Sequence, residues 1–267
     1  KTLKKEINIS GIGLHSGKNV NMTIKPASAN TGITYVRTDL PQRPSVKAGP
    51  ENVSSTMRGT NLKDLFFTIE HVMSALNSSD ISNAIIELDS PEPPAIDGSE
   101  VVLYEMIKKA GTKPQFALKK VIKPPSVIAV IGDGRTILAI PSNRFKITFM
   151  INYPVHFIGT QVLSFEPGRD SYEKEIAPAR TYGFVDELEA LKSKGLALGA
   201  SVDNAVAISE SGYMNALRFK DELVRHKILD LIGDLYLLNA DVRAHIIAIR
   251  SGHDMNIKLV NKLKEVG

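Results

Sequence analysis

Twice along this chain, a helix-forming stretch that carries a histidine leads into a β-strand, then a loop with glycine, then a second helix. In the first half the helix runs from about Thr68 to Asn77. Ile69, Val72, Met73 and Leu76 share one face, and Thr68 is placed to cap its start. The strand Asn83–Leu88 follows, then the loop SPEPPAIDGS, then a helix capped by Ser99 that ends near Lys109. In the second half a helix spans about Asp221 to Leu238, with Val224, Ile228, Leu231, Ile232 and Leu235 inward. The strand His245–Arg250, the loop SGHD and a last helix to about Glu265 complete the unit. His71 lies 27 positions before Gly98, and His226 lies 26 before Gly252. A duplication explains this spacing, and so does the frequency of helix–strand–helix units in α+β folds. Further strands are expected at Val20–Ile24, Ile33–Val36, Val127–Ile131, Thr136–Ile140 and Lys146–Ile151. The stretch GTKPQFALKKVIKPP, with three Pro and four Lys, reads as a linker. It divides the chain into domains 1–115 and 116–267. Residues 182–204 have no counterpart in the first half and read as an insertion.

Composition narrows the chemistry. The 267 residues are 43% hydrophobic and 23% charged, an ordinary globular balance with enough length to bury a core. The net charge of +4 is small and not gathered into a run, so it suits anionic ligands without marking a nucleic-acid face. Cysteine is absent, which excludes disulfides, thiol nucleophiles and Cys-based zinc sites. Any transition metal must be held by carboxylates and by some of six histidines. No apolar run reaches the ~18–20 residues of a membrane span. The N-terminus is polar and strand-like rather than a signal peptide.

Three local patterns carry chemical weight. His226 and Asp230 are four apart, so a helix stacks them on one face, one turn apart. That spacing suits two ligands of one metal ion, and it equally suits a buried His–Asp pair. Asp230 stands in ILDLIGDLYLL, where an ionised carboxylate is costly without a metal or a partner. Asp234 is one turn further along the same stripe. The second pattern is Glu70-His71. Adjacent helical residues diverge by about 100°, so His71 alone would join the ligands while Glu70 reaches a water as general base. His71, His226 and Asp230 together leave a fourth position open, as a catalytic zinc requires. The third is Ser251-Gly252-His253-Asp254, where His253 could serve as a general acid or as a cation facing an oxyanion. The matching loop Asp97-Gly98-Ser99 has no histidine and reads as structural. His15 sits among glycines that let backbone approach a ligand, or it is a turn residue. Lys227 projects from a different face than His226, toward an anionic substrate or toward solvent.

The stretches GIGLHSGK, TIEHVMSALN, SNAIIELDSPEPPAIDGS, APARTYGF, GLALGAS, LRFKDELVRHKILDLIGDLYLL and SGHDMN occur in this order across nearly the whole chain. Together they resemble the UDP-3-O-acyl-N-acetylglucosamine deacetylase family, zinc enzymes of the committed step of lipid A biosynthesis. The resemblance implies an α+β fold of two similar domains. Each is a β-sheet packed against helices in a β-α-α-β sandwich-like arrangement, with the active site between them. It implies Zn2+ on His71, His226 and Asp230, Glu70 as general base, and His253 with its carboxylate partner Asp234. It implies Thr181 beside the oxyanion. Substrate contacts are expected from Lys227, His15 and Tyr182, and an apolar passage for the acyl chain from the insertion through Leu188 and Leu198. The implied substrate is a UDP-linked acylated amino sugar, with a zinc amidase acting on another acylated sugar or amide as the alternative. The expected setting is a cytoplasmic monomer of a Gram-negative cell, with no nucleic-acid partner, no transmembrane segment and room for a peripheral membrane contact. The sequence departs from the family in two places. NVSSTMRGT lacks a cysteine that many members carry near the metal, and Tyr182 stands where phenylalanine is common.

Overall fold

A computed structural model describes all 267 residues. The first sheet is built from β1 (Ile7–Ile12), β2 (Asn19–Pro26), β3 (Ile33–Arg37), β4 (Ser45–Lys47) and β5 (Ala84–Leu88), with helix α1 (Glu70–Ser78) preceding β5 and α2 (Val101–Ala110) following it. The second is built from β6 (Ile128–Gly132), β7 (Arg135–Pro141), β8 (Lys146–Asn152), β9 (Thr160–Phe165) and β10 (Ala244–Ile249), with α3 (Glu222–Leu235) before β10 and α4 (His253–Glu265) after it. The strand orders are β1-β2-β5-β3-β4 and β6-β7-β10-β8-β9. In each sheet the late strand inserts at the centre. It runs parallel to one neighbour and antiparallel to the other. The two halves therefore share one topology, which supports the duplication.

Alternation explains why these segments are strands with one wet face. Ile33, Tyr35 and Arg37 are buried along β3, Ile147, Phe149 and Ile151 along β8, and Ala244, Ile246 and Ala248 along β10, while the intervening residues are partly exposed. The buried face of each sheet meets helices. α3 packs on β8 and β9, α4 on β6 and β7, α2 beside β1, and α1 against α3. The layers run sheet, helices, helices, sheet, and one continuous core of 55 buried residues joins them. This is the α+β sandwich that the sequence implies.

Gly233 permits the central crossing. A methyl group there would stand 1.9 Å from the Glu70 carbonyl oxygen, so a side chain would force α1 and α3 apart. A glycine within a helix costs propensity, and the close approach that places Glu70 and His71 against the last turn of α3 offsets it.

Some elements differ from expectation at their ends. Thr68 does not cap α1. Its φ is +54°, its amide donates to Asn61 Oδ1, and Ile69 occupies the cap position. Ser99 does not cap α2 either, because its hydroxyl is committed to Asp97 and Glu100 takes the cap position. His253 is the first residue of α4 rather than part of a free loop. The Pro- and Lys-rich stretch is tied at both ends. Thr112–Lys113 pairs antiparallel with Thr2–Leu3, and Lys120–Ile122 pairs parallel with Ala240–Val242. Within 182–204 lie the strand Tyr182–Phe184 and the short helix Leu188–Lys192. No helix is long and apolar enough to cross a membrane.

Candidate active site

The crossing of α1 and α3 gathers the ionisable residues that the sequence singles out. His71 Nε2 lies 3.6 Å and His226 Nε2 3.2 Å from Asp230 Oδ1, with the two imidazoles in an edge-on arrangement 4.9 Å apart. Nitrogen and oxygen atoms of these three residues fall within 4.8 Å of one another. Asp230 is 3% exposed, and its Oδ1 has no hydrogen-bond partner. A buried carboxylate oxygen left unpaired is expensive, and a cation at this point would satisfy it. His226 Nδ1 sits 3.1 Å from the Ala179 carbonyl, which accepts its N–H and leaves Nε2 with a lone pair toward Asp230. Two imidazole nitrogens and one carboxylate oxygen form a donor set that suits zinc.

Electrostatics supports the same reading. Burial pushes His226 down to about 4, against the pull of Asp230, so at neutral pH it is the neutral imidazole that ligates metal. Burial opposes charge on His71 as well, yet Glu100, Glu70 and Asp230 outweigh it and raise the group to about 9. A metal cation would displace that proton. Burial would raise Asp230, but His226, Lys227, His253 and His71 hold its carboxyl far below the usual carboxylate range. Lys227 Nζ donates to Asp230 Oδ2 at 2.8 Å and stands 5.6 Å above the Tyr182 ring. Lys227 therefore turns back to the ligand set.

Beside the ligands lies a second cluster. Glu70, 2% exposed, has its carboxyl raised by burial, against the attraction of His253 and His71. His253 Nε2 is 3.8 Å from both Glu70 Oε1 and Asp230 Oδ2, and its Nδ1 lies 2.9 Å from Asp234 Oδ2. Burial disfavours charge on His253, but Asp234, Glu70 and Asp230 prevail and lift it to about 10. An anion-facing imidazolium next to a buried carboxylate is an acid–base pair with a division of labour.

The remaining candidates fall around this centre. Thr181 and His71 line a common cavity of about 20 Å³, with Glu92, Gly98 and Glu100. Tyr182 reaches Tyr153 with its hydroxyl and presents its ring edge-on to His226 at 6.1 Å. His15 is a clamp between segments. Its Nδ1 accepts from the Ala197 amide, its Nε2 faces the Arg58 carbonyl, and its own carbonyl accepts from Leu198. Leu188 is half-buried, and Leu198 is 52% exposed on the outer rim. Two cavities of about 550 and 530 Å³ lie elsewhere on the molecule and touch none of these residues.

Sequence reasoning missed three side chains. Glu100 brings Oε1 to 3.4 Å from His71 Nδ1, on the opposite side of the ring from the nitrogen that faces Asp230, although the loop before it reads as structural. Asn256 donates to Asp234 Oδ2 at 2.8 Å. Thr60, fully buried, gives its amide to Glu70 Oε2 at 2.8 Å and its hydroxyl to Asp234 Oδ1. Thr60 and Glu100 carry no signal in their spacing, because each reaches the site from a separate segment, whereas Asn256 lies one turn after His253 on α4, a spacing that marks it as a neighbour of that histidine.

Known proteins share this sequence from end to end. The profile of the family described as UDP-3-O-acyl N-acetylglycosamine deacetylase (LpxC) matches residues 1–265. Proteins named UDP-3-O-acyl-N-acetylglucosamine deacetylase are similar to it over nearly full length. The one from Syntrophotalea carbinolica is 42% identical over 98% of this chain and 86% of its own length. The one from Syntrophus aciditrophicus is 42% identical over 99% and 86%, and that from Haemophilus influenzae 40% over 97% and 88%. With its residues matched throughout and its ionisable groups gathered at one helix crossing, the chain belongs to the UDP-3-O-acyl-N-acetylglucosamine deacetylase family.

Proposed function

We propose that this chain hydrolyses the N-acetyl group of UDP-3-O-acyl-N-acetylglucosamine, releasing acetate and the free amine, the committed step of lipid A biosynthesis. The observation that carries the reading is the convergence of His71, His226 and Asp230 around an unpaired buried carboxylate oxygen, with Glu70 and His253 beside it. His71, His226 and Asp230 hold Zn2+ in this reading. Zinc, when bound, supplies Lewis acidity that brings the pKa of a water ligand to around 7 and polarises the amide carbonyl.

The protein's own groups then divide the proton work. Glu70, a carboxylate whose pKa burial raises, takes a proton from the attacking water. His253 is held protonated by Asp234 and faces the charge that develops on the amide oxygen, or passes its proton to the leaving amine. Thr181 adds a hydroxyl at the edge of the cavity next to His71. In this reading Lys227, Tyr182 and His15 contact the substrate, and the insertion carrying Leu188 and Leu198 receives the acyl chain. Domains 1–115 and 116–267 each contribute part of the site, as a monomer in the cytoplasm.

The decisive experiment is turnover of the UDP-linked acyl sugar with and without a chelator. Activity lost on chelation and restored by zinc is expected. Metal-independent turnover would sink the zinc mechanism, and hydrolysis of acetamides lacking the nucleotide or acyl chain at equal rates would favour a general amidase.

A further inference from the structure

The loop before α1 reaches both halves of the acid–base machinery through one residue. Thr60 has no exposed surface and follows Gly59, whose backbone lies against Glu70 and Thr68. Its amide donates to Glu70 Oε2 at 2.8 Å, and its carbonyl accepts from the Ile69 amide at 3.1 Å, at the entry to α1. Its hydroxyl donates to Asp234 Oδ1 at 2.5 Å and lies 3.4 Å from His253 Nδ1. Asp234 Oδ2 is taken by His253 Nδ1 and Asn256 Nδ2, at 2.9 and 2.8 Å. Without the Thr60 hydroxyl, Oδ1 of a fully buried carboxylate loses the donor that fixes it.

We infer that Thr60 is a positioning residue that fixes the base Glu70 and the Asp234–His253 pair relative to one another. This rests on the deacetylase reading for its rate predictions, and on geometry alone for its spectroscopic one. The amide sets the Glu70 carboxylate. The hydroxyl sets the carboxylate plane of Asp234, and with it the direction in which His253 points Nε2. Acid and base sit on different helices, α4 and α1, and the Thr60 loop bridges them at the level of the reacting groups. Displacing such groups by an ångström costs on the order of 10²-fold in rate.

Thr60→Val keeps the shape and the amide but removes the hydroxyl, whereas Thr60→Ser keeps the hydroxyl. Thr60→Val is expected to lower kcat by about 10–100-fold, with KM and zinc content at wild-type levels. Thr60→Ser should restore most of that loss. In an Asp234→Asn background Thr60→Val should add little, because the hydroxyl has lost the charged partner it holds. The Nδ1–H proton of His253, followed by NMR without turnover, should be sharp and slow to exchange in wild type and Thr60→Ser, and broadened in Thr60→Val. If Thr60→Val does not fold, Thr60→Ala carries the same expectations. A wild-type kcat and an unchanged His253 proton in the variant lacking the hydroxyl would overturn the inference. So would equal losses in the Ser and Val variants. A wild-type chain that holds zinc yet turns over no UDP-linked sugar would sink the deacetylase reading instead, and the NMR comparison would still decide the role of Thr60.

Discussion

At the scale of single residues, the proposed function separates groups that would hold the ion from groups that would move protons. His226→Ala removes a ligand nitrogen, so the purified protein should lose zinc and activity together while the fold persists. Metal analysis decides it, since full occupancy would take His226 out of the ligand set. Glu70→Ala should retain zinc and lose about 10²–10⁴-fold in turnover, the usual share of a positioned general base. Turnover near wild type would mean that another group accepts the proton. The pH profile of kcat/KM should be bell-shaped, falling in acid as Glu70 protonates and in alkali as His253 loses its proton. Burial works against the His253 charge and Asp234 works for it, with a net rise to about 10. A nearby metal cation lowers this value, so the alkaline limb of the loaded enzyme lies below it. Asp234→Asn removes a stabilising negative charge and should move that limb to lower pH. An alkaline limb that stays in place in Asp234→Asn and in His253→Gln would belong to another group.

At the scale of elements, α3 depends on what it meets at each end. Its Gly233 faces the α1 backbone, and a methyl there overlaps the Glu70 carbonyl. Gly233→Ala raises intrinsic helix propensity by about 1 kcal/mol, yet it should destabilise the fold by about 1–3 kcal/mol, the usual range for overpacking. It should also depress turnover by shifting Glu70. Denaturant titration tests this, and a stabilised variant would show that the crossing can relax freely. At the other end Glu222 is fully buried and accepts from the Arg180 amide and guanidinium and from the Arg218 amide. These bonds fix the turn that carries Ala179, whose carbonyl orients His226. Burial would raise Glu222, but Arg180 and the backbone donors lower it below the ordinary carboxylate range. A depressed carboxyl contributes stability above its unfolded pKa of ~4.3 and loses it as pH falls through the folded value. Glu222→Gln should therefore flatten the fall of stability below about pH 4, as melting curves across acid pH would show. An unaltered acid transition would mean that other carboxylates govern it.

At the scale of the whole molecule, zinc in the proposed site would join the halves. His71 comes with α1 from the first sheet's half, and His226 and Asp230 with α3 from the second. A ligand that binds only the folded arrangement stabilises it by about 2.7 kcal/mol at a hundredfold excess over Kd. For a chain of this size that corresponds to a melting temperature roughly 5–10 °C higher than after chelation. The shift should be absent in His226→Ala. An equal shift in that variant would place the stabilising ion elsewhere.

Much of the protein could be read along the chain because it is written in local periodicity. Strands such as Ile33–Arg37 and Lys146–Asn152 are rich in β-branched and aromatic residues and bury every second one, and α3 repeats its apolar positions at helical spacing. His226, Asp230 and Asp234 fall on one helical stripe by arithmetic alone. Helix starts were less legible. Thr68 and Ser99 are good capping residues by type, but Thr68 takes a left-handed backbone that a cap does not use, and the Ser99 hydroxyl turns back to Asp97 two residues before it. Thr60 and Glu100 were invisible, since a loop and a helix start meet the site only after folding, whereas Asn256 follows His253 by one turn of α4 and the same helical arithmetic reaches it. Sequence alone determined which side chains can do the chemistry and which helices carry them, because those follow from residue type and period. The tertiary structure decided how close α1 approaches α3, which carboxylate oxygen is left for a cation, and which loop holds acid and base in register. Such distances depend on contacts between residues up to 193 positions apart, from Thr60 to His253, and no local pattern encodes them.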